Sequence, residues 1–147
     1  MTDTLTTKPE HLILSIPSHP RYLQLVRGVF KKVGAIMNLP ATEAENIILA
    51  VDEACANVIK HSYRNLPPGK INLYLEILPA KLQVTIEDFG CKSDPARMHP
   101  RDIDDIKPGG LGLHIIDCVM DSVHFDCAST TRNQLQLVKR FGHNKNP

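Results

Sequence analysis

The sequence predicts an α/β fold: a two-layer α/β sandwich whose helices cover one face of a mostly antiparallel, mixed sheet. Three observations carry this expectation. Lys70–Leu78 with Lys81–Glu87, and Val123–Ala128 with Gln134–Phe141, are pairs of strand-like segments joined by short connections, so they read as hairpins. Three other segments place apolar residues at helical spacing. The resulting order, β-α-α-β-β-loop-α-β-β, lacks the alternating βαβ units of a doubly wound parallel sheet.

Each element has a local reason. His11–Ile16 alternates polar and apolar residues and reads as the first strand, ended by Pro17 and Pro20. Ser18 is a candidate cap for the helix Tyr22–Met37, which carries Leu23, Val26, Phe30 and Val33 on one face. Asn38-Leu-Pro40 breaks it. Thr42 followed by Glu45 resembles a capping box, and the helix it opens runs to about Tyr63. Its core stripe is Ile47, Val51, Ala54, Cys55 and Val58; a second stripe holds Asn46, Ala50, Glu53, Asn57, His61 and Arg64. Ala50, small and one turn before Glu53, is expected to leave space beside that carboxylate. Leu66-Pro-Pro-Gly69 is a turn. Asp88-Phe-Gly90 closes the third strand, and Cys91–Pro108, with three prolines and no periodicity, is a long loop of the kind that serves as a lid. Leu111–Asp121 is the last helix.

Composition narrows the function. At 147 residues the chain suits one domain: a flexible tail at 1–10, a folded unit at 11–141 and a C-terminal tail at 142–147. The formal net charge of +1, with both signs mixed, gives no basis for direct nucleic-acid binding or for an anionic membrane as the main partner. No apolar run approaches a membrane span and the N-terminus lacks an apolar signal core, so a cytoplasmic location is expected. Cys55, Cys91, Cys118 and Cys127 show no Cys-x-x-Cys spacing and read as reduced thiols, mostly buried. The seven histidines show no metal-ligand spacing, which argues against a zinc site.

Three groups of residues can do chemistry. Glu53 and Asn57, four apart, project from one helix face. Asp88 offers an acceptor carboxylate at a sheet end, and Gly90 lets a flat ring approach the backbone. Gly109-Gly110-Leu111-Gly112-Leu113 opens a helix, where free amides and the helix dipole favour an anion. Taken singly, each is also what a solvated helix face, a turn or a hinge carries. Together they supply every part of a nucleotide site: Asp88 for an adenine amino group, Asn57 as an oxygen ligand for Mg²⁺, Glu53 to orient or deprotonate an attacking hydroxyl, and the glycine-rich amides for phosphate oxygens.

The string Val51-Asp-Glu-Ala-Cys-Ala-Asn57 with His61-Ser-Tyr63 resembles the N box of the histidine-kinase-like (GHKL) ATPases; Asp88-Phe-Gly90 resembles their G1 box and Gly110-Leu-Gly-Leu113 their G2 box. Within that superfamily the chain is most similar, from His11 to Phe141, to the bacterial anti-sigma factor serine/threonine kinases. The resemblance implies the GHKL (Bergerat) ATPase fold, an ATP·Mg²⁺ site and a homodimer. It also implies two partners: a sigma factor that is sequestered, and an anti-anti-sigma antagonist of the STAS type that is phosphorylated on Ser or Thr. By family role Glu53 is the general base, Asn57 the Mg²⁺ ligand and His61 a neighbour of the phosphates, while Asp88 and Gly90 bind adenine and Gly110 to Leu113 the phosphates. The chain departs from the pattern before the glycine turn, where active kinases often carry an arginine. Here Lys107 or Arg101 stands in, and lysine is a point charge without the arginine fork. That departure keeps a second reading open: a kinase-inactive, ATP-binding partner-switching module.

Overall fold

A computed structural model of the chain describes residues 8–92, 110–126 and 128–142. Five strands form one sheet: β1 (Glu10–Pro17), β2 (Lys70–Leu78), β3 (Lys81–Asp88), β4 (Ser122–Asp126) and β5 (Asn133–Arg140), in the spatial order β1-β2-β3-β5-β4. All four pairings are antiparallel. Three helices accompany them: α1 (Leu23–Ile36), α2 (Ala41–Asn57) and α3 (Gly110–Val119).

Alternation along the strands decides which face is covered. Ile16, Ile71, Leu73, Leu75, Leu82, Val84, Ile86 and Leu137 are buried on one side of the sheet. Against them pack Val26, Phe30 and Val33 of α1, Ile47, Val51, Ala54 and Cys55 of α2, and Ile116 of α3, forming one core. α2 lies against both α1 and α3. An ion pair from Arg27 to Asp52, 2.7 Å, also ties α1 to α2. The opposite face carries polar residues and no helix among the described residues: Asn72, Tyr74, Thr85, Glu87, Gln134 and Gln136 occupy the alternate positions.

The helix ends differ from their sequence signals. α1 finishes in a Schellman turn: Asn38 adopts φ 54°, Leu39 N donates to Gly34 O at 3.0 Å and Asn38 N to Ala35 O at 3.1 Å. α2 starts at Ala41, directly after Pro40, with no side-chain cap, so Thr42 lies inside the first turn and the capping box is not formed. Ser18 does not cap a helix either. Its Oγ accepts from Gly69 N at 2.8 Å, tying the end of β1 to the start of β2, while His19 Nδ1 accepts from Arg21 N to cap a one-turn 3-10 helix at Pro20–Tyr22. The long helix expected to reach Tyr63 is α-helical only to Asn57; Val58–Ser62 is a π-helical turn. No helix among the described residues is long and apolar enough to cross a membrane.

Candidate functional site

Asp88 is the last residue of β3 and follows the inward alternation of Leu82, Val84 and Ile86, which carries its carboxylate to the helix side of the sheet. It is only 3% exposed. Its Oδ1 accepts from Asn133 Nδ2 and from Gly90 N, each at 3.0 Å; its Oδ2 accepts from Ser62 Oγ at a longer 3.4 Å. Burial pushes the carboxyl above the ordinary aspartate range, and these donors oppose that shift without cancelling it.

The turn after Asp88 is pressed onto the end of the α2 segment. A Cβ on Gly90 would stand 2.2 Å from Ser62 O, so only glycine fits there. Cys91 N donates to Ser62 O at 2.6 Å, and Tyr63 Oη accepts from Phe89 N at 3.0 Å while donating to Lys70 O at 2.6 Å. Asn133 Nδ2 also donates to Cys91 O at 3.0 Å, closing the turn from the other side.

Glu53 and Asn57 lie one turn apart on α2, both half-buried, and neither side chain has a hydrogen bond or ion pair among the described residues. Two uncommitted polar side chains on a half-buried helix face are available to a ligand. Ala50 is fully buried in the core and does not share the polar stripe of Glu53 and Asn57. His61 lies in the π-helical turn and is exposed, and the wider turn takes it out of the i, i+4 register with Asn57 on which the shared stripe rested. Gly110, Leu111, Gly112 and Leu113 form the first turn of α3, which packs on α2. Lys107, Gly109, Arg101 and the rest of the expected lid beyond Lys92 lie outside the described residues.

Of the thiols, Cys55 is buried, and desolvation first, then the Asp52 charge, pushes it up to about 12. Cys91 and Cys118 are exposed, contrary to the expectation of mostly buried cysteines. Cys127 lies outside the described residues.

Sequence reading missed Asn133, and it found Ser62 and Tyr63 only as neighbours of His61. Asn133 sits directly opposite Asp88 in the β3–β5 register, 45 residues away in sequence. The one signal that could have found it is a polar residue at a strand start paired with a strand-end acid, and that requires knowing that β5 lies beside β3.

The fold has helices on one face of an antiparallel sheet, a buried acid at a strand end and a glycine-rich helix start, and the chain belongs to the histidine kinase-like ATPase domain family, whose profile matches residues 16–139. Among characterised proteins it is similar to the serine-protein kinase RsbW of Staphylococcus aureus, with 34% identity over 132 residues in strains JH9 and Newman alike, covering 81% of this chain and 80% of that protein. Among solved structures it is similar to the RsbU and RsbW domains of Rv1364c from Mycobacterium tuberculosis, with a TM-score of 0.66 and 14% identity over 89% of this chain and 32% of that longer one. The second likeness concerns the fold alone.

Proposed function

We propose that this chain is an ATP-dependent protein serine/threonine kinase of the anti-sigma type. It phosphorylates a Ser or Thr of a STAS-type antagonist and sequesters a sigma factor. It acts as a homodimer in the cytoplasm and binds its nucleotide as Mg·ATP. Family membership and the likeness to the kinase RsbW support the activity. The observation that carries the nucleotide reading is the buried Asp88 carboxylate, whose Oδ1 is saturated and whose Oδ2 has one long contact, set beside a glycine that no larger residue can replace.

In this reading Asp88 accepts a hydrogen bond from the adenine amino group, and Gly90 keeps the backbone clear of the ring. The amides at Gly110–Leu113 hold phosphate oxygens at the start of α3, with Gly109 and Lys107 completing the phosphate side. Asn57 supplies an amide oxygen to Mg²⁺, which when bound neutralises charge on the phosphates. Glu53, one turn away on the same helix, takes the proton from the attacking hydroxyl, and His61 borders the phosphates. The donor set fits a magnesium nucleotide, because Glu53 and Asn57 are oxygen-bearing groups with no protein partner among the described residues.

The test is phosphotransfer from Mg·ATP to a cognate STAS-type antagonist. Glu53→Ala should lower transfer at least ~10²-fold, as expected for loss of a general base, while nucleotide affinity stays near wild type. ATP binding without any phosphorylated partner overturns the kinase reading. Equal loss of binding and transfer in Glu53→Ala overturns the role given to that residue.

A further inference from the structure

One of the side chains that hold the turn after Asp88 is Tyr63. Its hydroxyl accepts from the N–H of Phe89, the peptide immediately after Asp88, and donates to Lys70 O at the start of β2. Its ring is wedged against Gly69, where an added Cβ would stand 2.3 Å from Cε1. The ring has no room to move toward Gly69, and the hydroxyl's two hydrogen bonds tie the Asp88–Phe89 peptide to the start of β2. The next amide, Gly90 N–H, donates to Asp88 Oδ1. With Oδ1 taken by Gly90 N and Asn133 Nδ2, the carboxylate cannot turn freely, and Oδ2 is the oxygen left to a ligand.

We propose that Tyr63 is a positioning residue for nucleobase selectivity: by fixing the Asp88–Gly90 turn it presents Asp88 Oδ2 as a rigid acceptor, which takes a base with an exocyclic amino group and rejects one with a carbonyl oxygen in that place. The inference rests on the nucleotide reading of the site given above. An ionised carboxylate only accepts, so a carbonyl placed opposite it leaves two acceptors facing each other and both unpaired. A carboxylate free to rotate relieves that conflict by turning aside or by admitting water. Rejection of guanine therefore depends on the rigidity of the turn, and the affinity for adenine depends on it less.

Calorimetric titration of the full chain with Mg·ATP and Mg·GTP measures the selectivity ratio. Tyr63→Phe keeps the ring and removes the hydroxyl, so it should lower the ATP:GTP ratio by about tenfold, one hydrogen bond's worth of positioning. A change that only loosens the fold has a different signature: Val33→Ala, deep in the core and far from the turn, should lower the melting temperature and leave the ratio unchanged. Should Tyr63→Phe fail to fold, Gly69→Ala, which retains the hydroxyl but displaces the ring, is read by the same ratio and should lower it too. A wild-type ratio in a folded Tyr63→Phe protein overturns the inference while leaving the ATP reading intact, as does a drop of the same size in Val33→Ala. A wild-type chain that binds neither nucleotide overturns the ATP reading and this inference with it.

Discussion

Glu87 and Asp88 are neighbours in sequence and opposites in environment, because strand alternation sends one to each face of the sheet. Asp88 is buried against the helices with its ionised form disfavoured. Glu87 lies at the base of an open polar cleft of about 440 Å³ on the other face, where it accepts from Asn72 Nδ2, Tyr74 Oη, Gln134 Nε2 and Arg132 Nη1. Burial alone would raise its pKa, but these donors and the Arg132 charge outweigh burial and hold it below the ordinary glutamate value of 4.5. The two residues should therefore respond oppositely to loss of charge. Asp88→Asn removes a charge that the fold disfavours, so the ligand-free protein should melt no lower than wild type at neutral pH. The wild-type penalty is absent below the ordinary aspartate value of 3.8 and grows as pH rises from there to the raised folded value. ATP affinity should nonetheless fall by roughly 10- to 100-fold, the scale of a charge-assisted hydrogen bond. Glu87→Gln should destabilise by about 1–3 kcal/mol at neutral pH through loss of charge-assisted bonds. Because the Glu87 pKa is depressed, that difference is fully present above 4.5 and closes as pH falls through the lower folded value. Melting curves from pH 3 to 8 check both.

At the scale of elements, the strands and the existence of each helix were legible because their patterns are local, whereas the end of α2 was not. β2 runs over the range its alternation predicts, and α1 keeps the apolar face read from its spacing. What was not legible were choices between two local options. Thr42 had the chemistry of a cap, but Pro40 already supplies a carbonyl that accepts from Ala44 N at 3.0 Å, so the helix begins ahead of it. The π turn at Val58–Ser62 has no propensity signature; the turn after Asp88 docks on it through Ser62 O, which accepts from Cys91 N. Gly90 is the contact that makes this docking possible. Gly90→Ala should cost roughly 1–3 kcal/mol from forced backbone displacement, and more than that if Ser62 cannot move, with ATP affinity reduced in parallel. Chemical denaturation and nucleotide titration of the same variant measure the two effects.

For the molecule as a whole, the element order was readable from the chain but the neighbour relations of non-consecutive strands were not. The pairing of β3 with β5 inserts the last strand between β3 and β4, and this placement brings Asn133 to Asp88. Glu53, Asn57, Asp88 and Gly90 were singled out from residue type and spacing, since each would carry its chemistry itself. Asn133 was not, since its role is only to hold another residue in place. The strand order has one more consequence, for a protein emerging from the ribosome. α1, α2 and three strands are complete by residue 88, so much of the hydrophobic interior can assemble early. Until β5 is synthesised, however, Asp88 lacks one of its two Oδ1 donors and β3 has an open edge. Nascent chains should therefore be poor at capturing ATP until Asn133 has been synthesised and β5 has paired with β3.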